Sequence, residues 1–74
     1  MDAATDIQAK RRVVHLIRMG RLPELLEERG LFQSEVAAYI GVHPSQVTRW
    51  VAGIQNPRPR HAVRLLELLD GEEA

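Results

Sequence analysis

The sequence predicts an all-α fold, a compact bundle of five short helices, on three observations. Apolar residues recur at offsets of three and four along most of the chain. No run alternates apolar and polar residues between hairpin turns. Glycine and proline fall where helices would stop and start, at Gly20 and Pro23, Gly30, Gly41 and Pro44, Gly53, Pro57 and Pro59. A length of 74 residues leaves room for a single domain over 1–74, one that buries only about 60% of the surface its unfolded chain exposes.

The first helix is expected over residues 6–19. Ile7, Val13, Val14, Leu16 and Ile17 recur at helical offsets and Lys10, Arg11, His15 and Arg18 take the complementary side, with Gly20 as the stop. Pro23 suits the first position of a second helix, 23–29, with Leu22, Leu25 and Leu26 inward and Glu24, Glu27 and Glu28 outward, its acids near the N-terminus where the helix dipole favours them. Gly30 ends it. A third helix, Gln33–Ile40, gathers Val36, Ala37 and Ile40 on one face, and Gly41 supplies the left-handed backbone of a tight turn. The fourth, Pro44–Ala52, opens on proline and closes at Gly53. Residues 54–60 contain Pro57 and Pro59 and are expected to form a loop. A last helix, 61–69, carries Ala62, Val63, Leu65, Leu66, Leu68 and Leu69. Asp70-Gly71 stops it, and residues 70–74 are expected to fray as an acidic tail.

Composition narrows the function. Apolar residues at 45% and charged ones at 27% lie inside the globular range, which excludes a disordered chain. The chain has no cysteine, which removes disulfides, thiolate metal sites and thiol nucleophiles together and suits the cytoplasm. No apolar run is long enough to span a bilayer. His15, His43 and His61 show no ligand spacing, Ser34 and Ser45 sit in no nucleophile setting, and there is no glycine-rich phosphate loop. Neither an enzyme, nor a metal, nor a cofactor is expected. Ten basic residues balance ten acidic ones, yet between Glu35 and Glu67 the charges are Arg49, Arg58, Arg60 and Arg64 alone, while Glu67, Asp70, Glu72 and Glu73 close the chain. The neutral total is a cancellation between segments, and a local basic field survives it.

The spacing in residues 33–50 is that of a helix-turn-helix. Such a motif needs a small residue where the second helix crosses the first, a glycine at the turn, and apolar residues that lock the pair. Ala37, Gly41, Val42, Val47 and Trp50 take those places, with Val36 and Ile40 completing the inner face. Locking by Val47 and Trp50 turns Pro44, Ser45, Thr48, Arg49 and Ala52 outward, with Gln46 at the edge.

The chain resembles the Cro and lambda-repressor-like (Xre) family of helix-turn-helix DNA-binding domains over residues 22–69. The resemblance is carried by Arg29-Gly30-Leu31, Gln33, Ala37, Gly41-Val42, Val47, Gly53 and Asn56-Pro57 at family spacing. Residues 1–20, with Lys10, Arg11 and Arg12, stand outside it as an extra N-terminal helix. The resemblance implies that Pro44, Ser45, Gln46 and Arg49 face bases in the major groove. The fork of Arg49 suits guanine O6 and N7, Gln46 suits adenine, and Pro44 offers only apolar contact. It implies backbone contacts from Gln33, at a helix N-terminus where a phosphate is welcome, and from His43, Thr48, Asn56, Arg58 and Arg60. His43 and Phe32 stand where capping Ser or Thr is expected; Phe32 is expected to pack on the core as a staple instead. Trp50 is expected in the core.

The function implied is a sequence-specific double-stranded DNA-binding transcriptional regulator of bacterial or phage type, a repressor acting as a homodimer on a palindromic operator. The apolar Ile7, Val14 and Ile17 make the N-terminal helix the candidate dimer element, with the last helix as its rival. Two alternatives are an antitoxin of a toxin–antitoxin pair and a protein-interaction module that kept the fold without DNA binding.

Overall fold

A computed structural model describes residues 3–71 of the chain, with side chains placed for residues 5–70. Five helices follow one another: α1 (Ala3–Arg18), α2 (Arg21–Glu28), α3 (Gln33–Ile40), α4 (Pro44–Ala52) and α5 (Pro59–Gly71). No strand occurs among the described residues.

The periodicity that predicts the helices also decides what they bury. One core draws on all five: Ala9, Val13 and Ile17 from α1, Leu22 and Leu26 from α2, Val36, Ala37 and Ile40 from α3, Val47 and Trp50 from α4, and Ala62, Val63, Leu65 and Leu69 from α5. The most extensive helix–helix contact is that of α1 with α5, ahead of that between the two motif helices. A radius of gyration of 11.2 Å matches the roughly 11 Å that a compact chain of this length should have, so α1 lies against the body of the molecule.

The bounds of α1, α2 and α5 differ from the sequence expectation. α1 begins three residues early, at Ala3 rather than 6. α2 begins at Arg21 directly after Gly20, which places Pro23 third in the helix instead of first. Proline is tolerated there because the amides of a first turn have no acceptor within the helix. α5 begins at Pro59, whose missing N–H and fixed φ suit a first helical position, and the Arg58 carbonyl accepts from Ala62 N–H at 2.9 Å. The loop is therefore 53–58, and Arg60 stands in the first turn of α5. At its far end α5 runs past Asp70 to Gly71, and the expected frayed tail at 72–74 lies outside the described residues.

Two side chains are corrected. Ile17, expected to add spare apolar surface, is buried at 8% exposure, and its neighbour Val13 is fully buried. The helix outside the family-like segment is thus part of the core. Phe32, expected as a staple, is 73% exposed. Its backbone N–H is tied to Glu35 Oε1 at 2.9 Å, which holds the start of α3 from the carboxylate and leaves the ring outside.

Candidate nucleic-acid interface

The turn between α3 and α4 rests on Gly41, whose φ of 89° lies in the left-handed region where a Cβ is costly. Its N–H and that of Val42 both return to the Ala37 carbonyl, at 2.8 and 3.0 Å. This closes α3 in two bonds and aims the chain into α4. Ala37, Val47 and Trp50 are buried at the crossing and Val42 is half-buried beside them. Gly53 closes α4 at φ 76°, with its N–H on the Trp50 carbonyl. A Cβ added there would stand 3.8 Å from Ile17 Cγ2, so α1 passes close behind the end of α4.

His43 caps α4. Its Nδ1 accepts from Ser45 N–H at 3.1 Å and lies 2.9 Å from Ser45 Oγ. An imidazole thus does the work for which Ser or Thr is the usual residue, and Pro44 takes the first helical position.

With Val47 and Trp50 inward, Pro44, Ser45, Thr48, Arg49 and Ala52 are exposed and Gln46 is half-buried. The helix has two flanks. On the α3 side Thr48 Oγ1 donates to Gln33 Oε1 at 2.7 Å and lies 3.2 Å from the Pro44 carbonyl oxygen. This ties the start of α3 to the middle of α4 and leaves the Gln33 amide N–H groups as free donors. On the other flank a polar cleft of about 340 Å³ is walled by Gln46, Trp50, Gln55, Asn56, Arg58, Arg60 and His61. Asn56, Arg58 and Arg60 are exposed. Of the four residues expected to face bases, Gln46 shares this cleft with Asn56, Arg58 and Arg60, while Gln33 and Thr48 are joined on the other flank.

Trp50 is 1% exposed, and its Nε1 meets no hydrogen-bond acceptor among the described residues. A buried donor left unmade costs about 1–3 kcal/mol. The His61 ring lies 6.1 Å from it, tilted by 36°. Burial, then the Arg60 and Arg58 charges, hold the His61 pKa below its ordinary value, so the ring is neutral near pH 7. Arg64 is drawn away from the basic edge. It donates to the Tyr39 carbonyl oxygen at 2.9 Å and its guanidinium sits 5.1 Å from the centre of the Tyr39 ring, tying α5 to the end of α3.

The Gln33–Thr48 bond, the His43 cap, the Arg64 tie and the His61 wall were not foreseen in the sequence. Only His43 left a signal there, as a polar ring standing immediately before a first-position proline. Among the described residues no His, Asp or Glu cluster is arranged to hold a metal, and no helix is long and apolar enough to cross a membrane.

A family model described as helix-turn-helix matches residues 24–74, about two thirds of the chain. No curated protein and no solved structure matches it.

Proposed function

The chain belongs to the Cro/C1-type helix-turn-helix family of DNA-binding regulators, and from that premise we propose that it is a sequence-specific transcriptional repressor that places α4 in the major groove. The observation that carries this is the exposed row Ser45, Thr48, Arg49 and Ala52 on a helix whose opposite side is locked by Val47 and Trp50. Arg49 reads guanine, Ser45 and Gln46 read neighbouring base edges, and Pro44 offers van der Waals contact alone. Gln33, His43 and Thr48 hold the backbone on one flank and Asn56, Arg58 and Arg60 on the other. Occupancy of a promoter site blocks access to it.

One short helix buries too little surface for useful specificity, so the reading includes a homodimer on a palindromic site with half-sites about 34 Å apart. The burial of Ile17 narrows the candidate dimer surface on α1 to Ile7, which is 49% exposed, and half-buried Val14.

Selection of duplexes from a random pool, followed by titration at several salt concentrations, tests the reading. A palindromic consensus whose affinity falls steeply with salt supports it. A protein-interaction module that kept the fold without DNA contact would return no consensus and no salt-dependent binding, whereas an antitoxin would keep DNA binding and differ by a toxin bound at another surface. Exposed Phe32, beside an apolar hollow lined by Pro23, Leu26 and Leu31, is the feature that favours such a protein partner.

A further inference from the structure

Two faces of opposite charge stand without ion partners among the described residues. One lies on α1. Ile7, Arg11, Val14 and Arg18 recur at offsets of four, three and four and share a side of the helix, while Ala9, Val13 and Ile17 bury another. Arg11, Val14 and Arg18 line an open groove with Lys10 and His15, and no acid lines it. Ile7 is 49% exposed and Val14 half-buried, so an apolar line runs through the basic side.

The other face lies at the end of α2. Glu27 and Glu28 are exposed and pair with no base among the described residues, whereas Glu24 is taken by Arg21. Glu27 stands on the wall of the apolar hollow, about 360 Å³, formed with Pro23, Leu26 and Leu31. Phe32 borders it and is 73% exposed. Gln33 lines it as well, so whatever docks there adjoins the flank where Gln33 meets Thr48.

We propose that the α1 stripe of one copy docks on the α2 hollow of a second. Ile7 and Val14 lie against Phe32 and Leu31, and Arg11 and Arg18 lie against Glu27 and Glu28. Charge selects this pairing. Hollow against hollow would oppose the glutamates of both copies, and stripe against stripe would oppose their arginines. The stripe spans about 16 Å of helix, so the contact falls at the small end of protein interfaces, with a dissociation constant on the order of 100 µM. Two copies on one duplex meet at an effective concentration of about millimolar, at which such a contact forms. The inference rests on the repressor reading for this use of the contact and on the two faces alone for its existence.

Sedimentation equilibrium of the full-length chain without DNA, from about 20 µM to 1 mM, tests it. The parent should associate, and less so at about 0.5 M salt than at about 0.05 M. Glu27→Lys with Glu28→Lys, and separately Arg11→Glu with Arg18→Glu, should each weaken association at least about tenfold. An equimolar mixture of the two variants should recover it, because the first keeps the parent's stripe and the second the parent's hollow. Phe32→Ala should weaken it by about tenfold. A monomeric parent, reversals without effect, or a mixture that does not recover overturns the contact. Unchanged association of Phe32→Ala overturns the role of the hollow. A monomeric parent whose duplex affinity falls on reversal of Arg11 and Arg18 assigns the stripe to the DNA backbone instead. Self-association is read without DNA, so its failure and a failure of duplex binding are separate results.

Discussion

Thr48 donates its hydroxyl to Gln33 Oε1 across 2.7 Å, joining the second motif helix to the N-terminus of the first on the exposed side of both. The bond fixes which end of the Gln33 amide is free, so its N–H groups are presented outward. Thr48→Val keeps the branched shape and removes the donor. Duplex affinity is expected to fall by about threefold to tenfold, the equivalent of roughly 0.5–1.5 kcal/mol, and to fall equally for all sequences. Thermal melting should change little, because the pair is exposed. Fluorescence-anisotropy titration against the best duplex and a scrambled one checks both points.

Arg49 and Arg58 are both exposed arginines, but one projects from the outward face of α4 and the other from the loop. Arg49→Ala should relax preference at one base pair by about 1–3 kcal/mol. Arg58→Ala should weaken all duplexes alike and flatten the salt slope by about one. A variant Arg49→Ala that keeps the parent's selectivity would remove α4 from the base-reading role.

At Gly41 the φ of 89° is the only obstacle to a side chain, since a Cβ added there meets nothing within 4 Å. Gly41→Ala is therefore expected to lose about 1–2 kcal/mol of stability, all of it backbone strain. Gly41→Asn should lose less, because asparagine tolerates the left-handed region. Urea unfolding of the three proteins gives the ranking.

Stability should fall as pH is lowered through about 6.5, the ordinary value for His61 from which burial, Arg60 and Arg58 shift it down. The sign follows from proton binding. Below that pH the unfolded chain takes up a proton that the folded chain refuses, and the loss stops once the folded ring also titrates. Urea midpoints of His61→Gln against pH should lack this part of the acid slope.

Val13 is fully buried in α1, and Val13→Ala removes two carbons from the core. A loss of about 2 kcal/mol is expected, a large share of the roughly 4–11 kcal/mol typical for a chain of this size. Circular dichroism on heating reads it directly. An unchanged melting temperature would mean that α1 contributes nothing to the folded state.

The motif helices were legible to the residue because Gly41, Pro44 and Gly53 each have one local meaning. The start of α5 was not. Pro57 and Pro59 look alike in sequence, yet Pro57 is a buried loop residue and Pro59 opens a helix. Which of them does so depends on where α5 docks. The same holds for α1. Its apolar stripe was visible, but whether Ile17 faces a partner or the core depends on Gly53 and α5, which are remote in sequence. Phe32 was misplaced because a large ring before a helix argues for burial, whereas the backbone bond to Glu35 already closes that helix start. The acid-free stretch between Glu35 and Glu67 holds four arginines, and that one of them, Arg64, is engaged with Tyr39 depends on a contact 25 residues away in sequence.

The helix-turn-helix family match begins at residue 24, but the packed core begins earlier, with Ala9, Val13 and Ile17 sharing it with α5. The segment that matches the family and the segment that shares one core are therefore different lengths of chain. Grafting or recombination guided by the matched segment would cut through that core. To transplant this protein's sequence preference, exchange is best confined to the outward side chains of α4 and the loop after it, with α1 carried along unchanged.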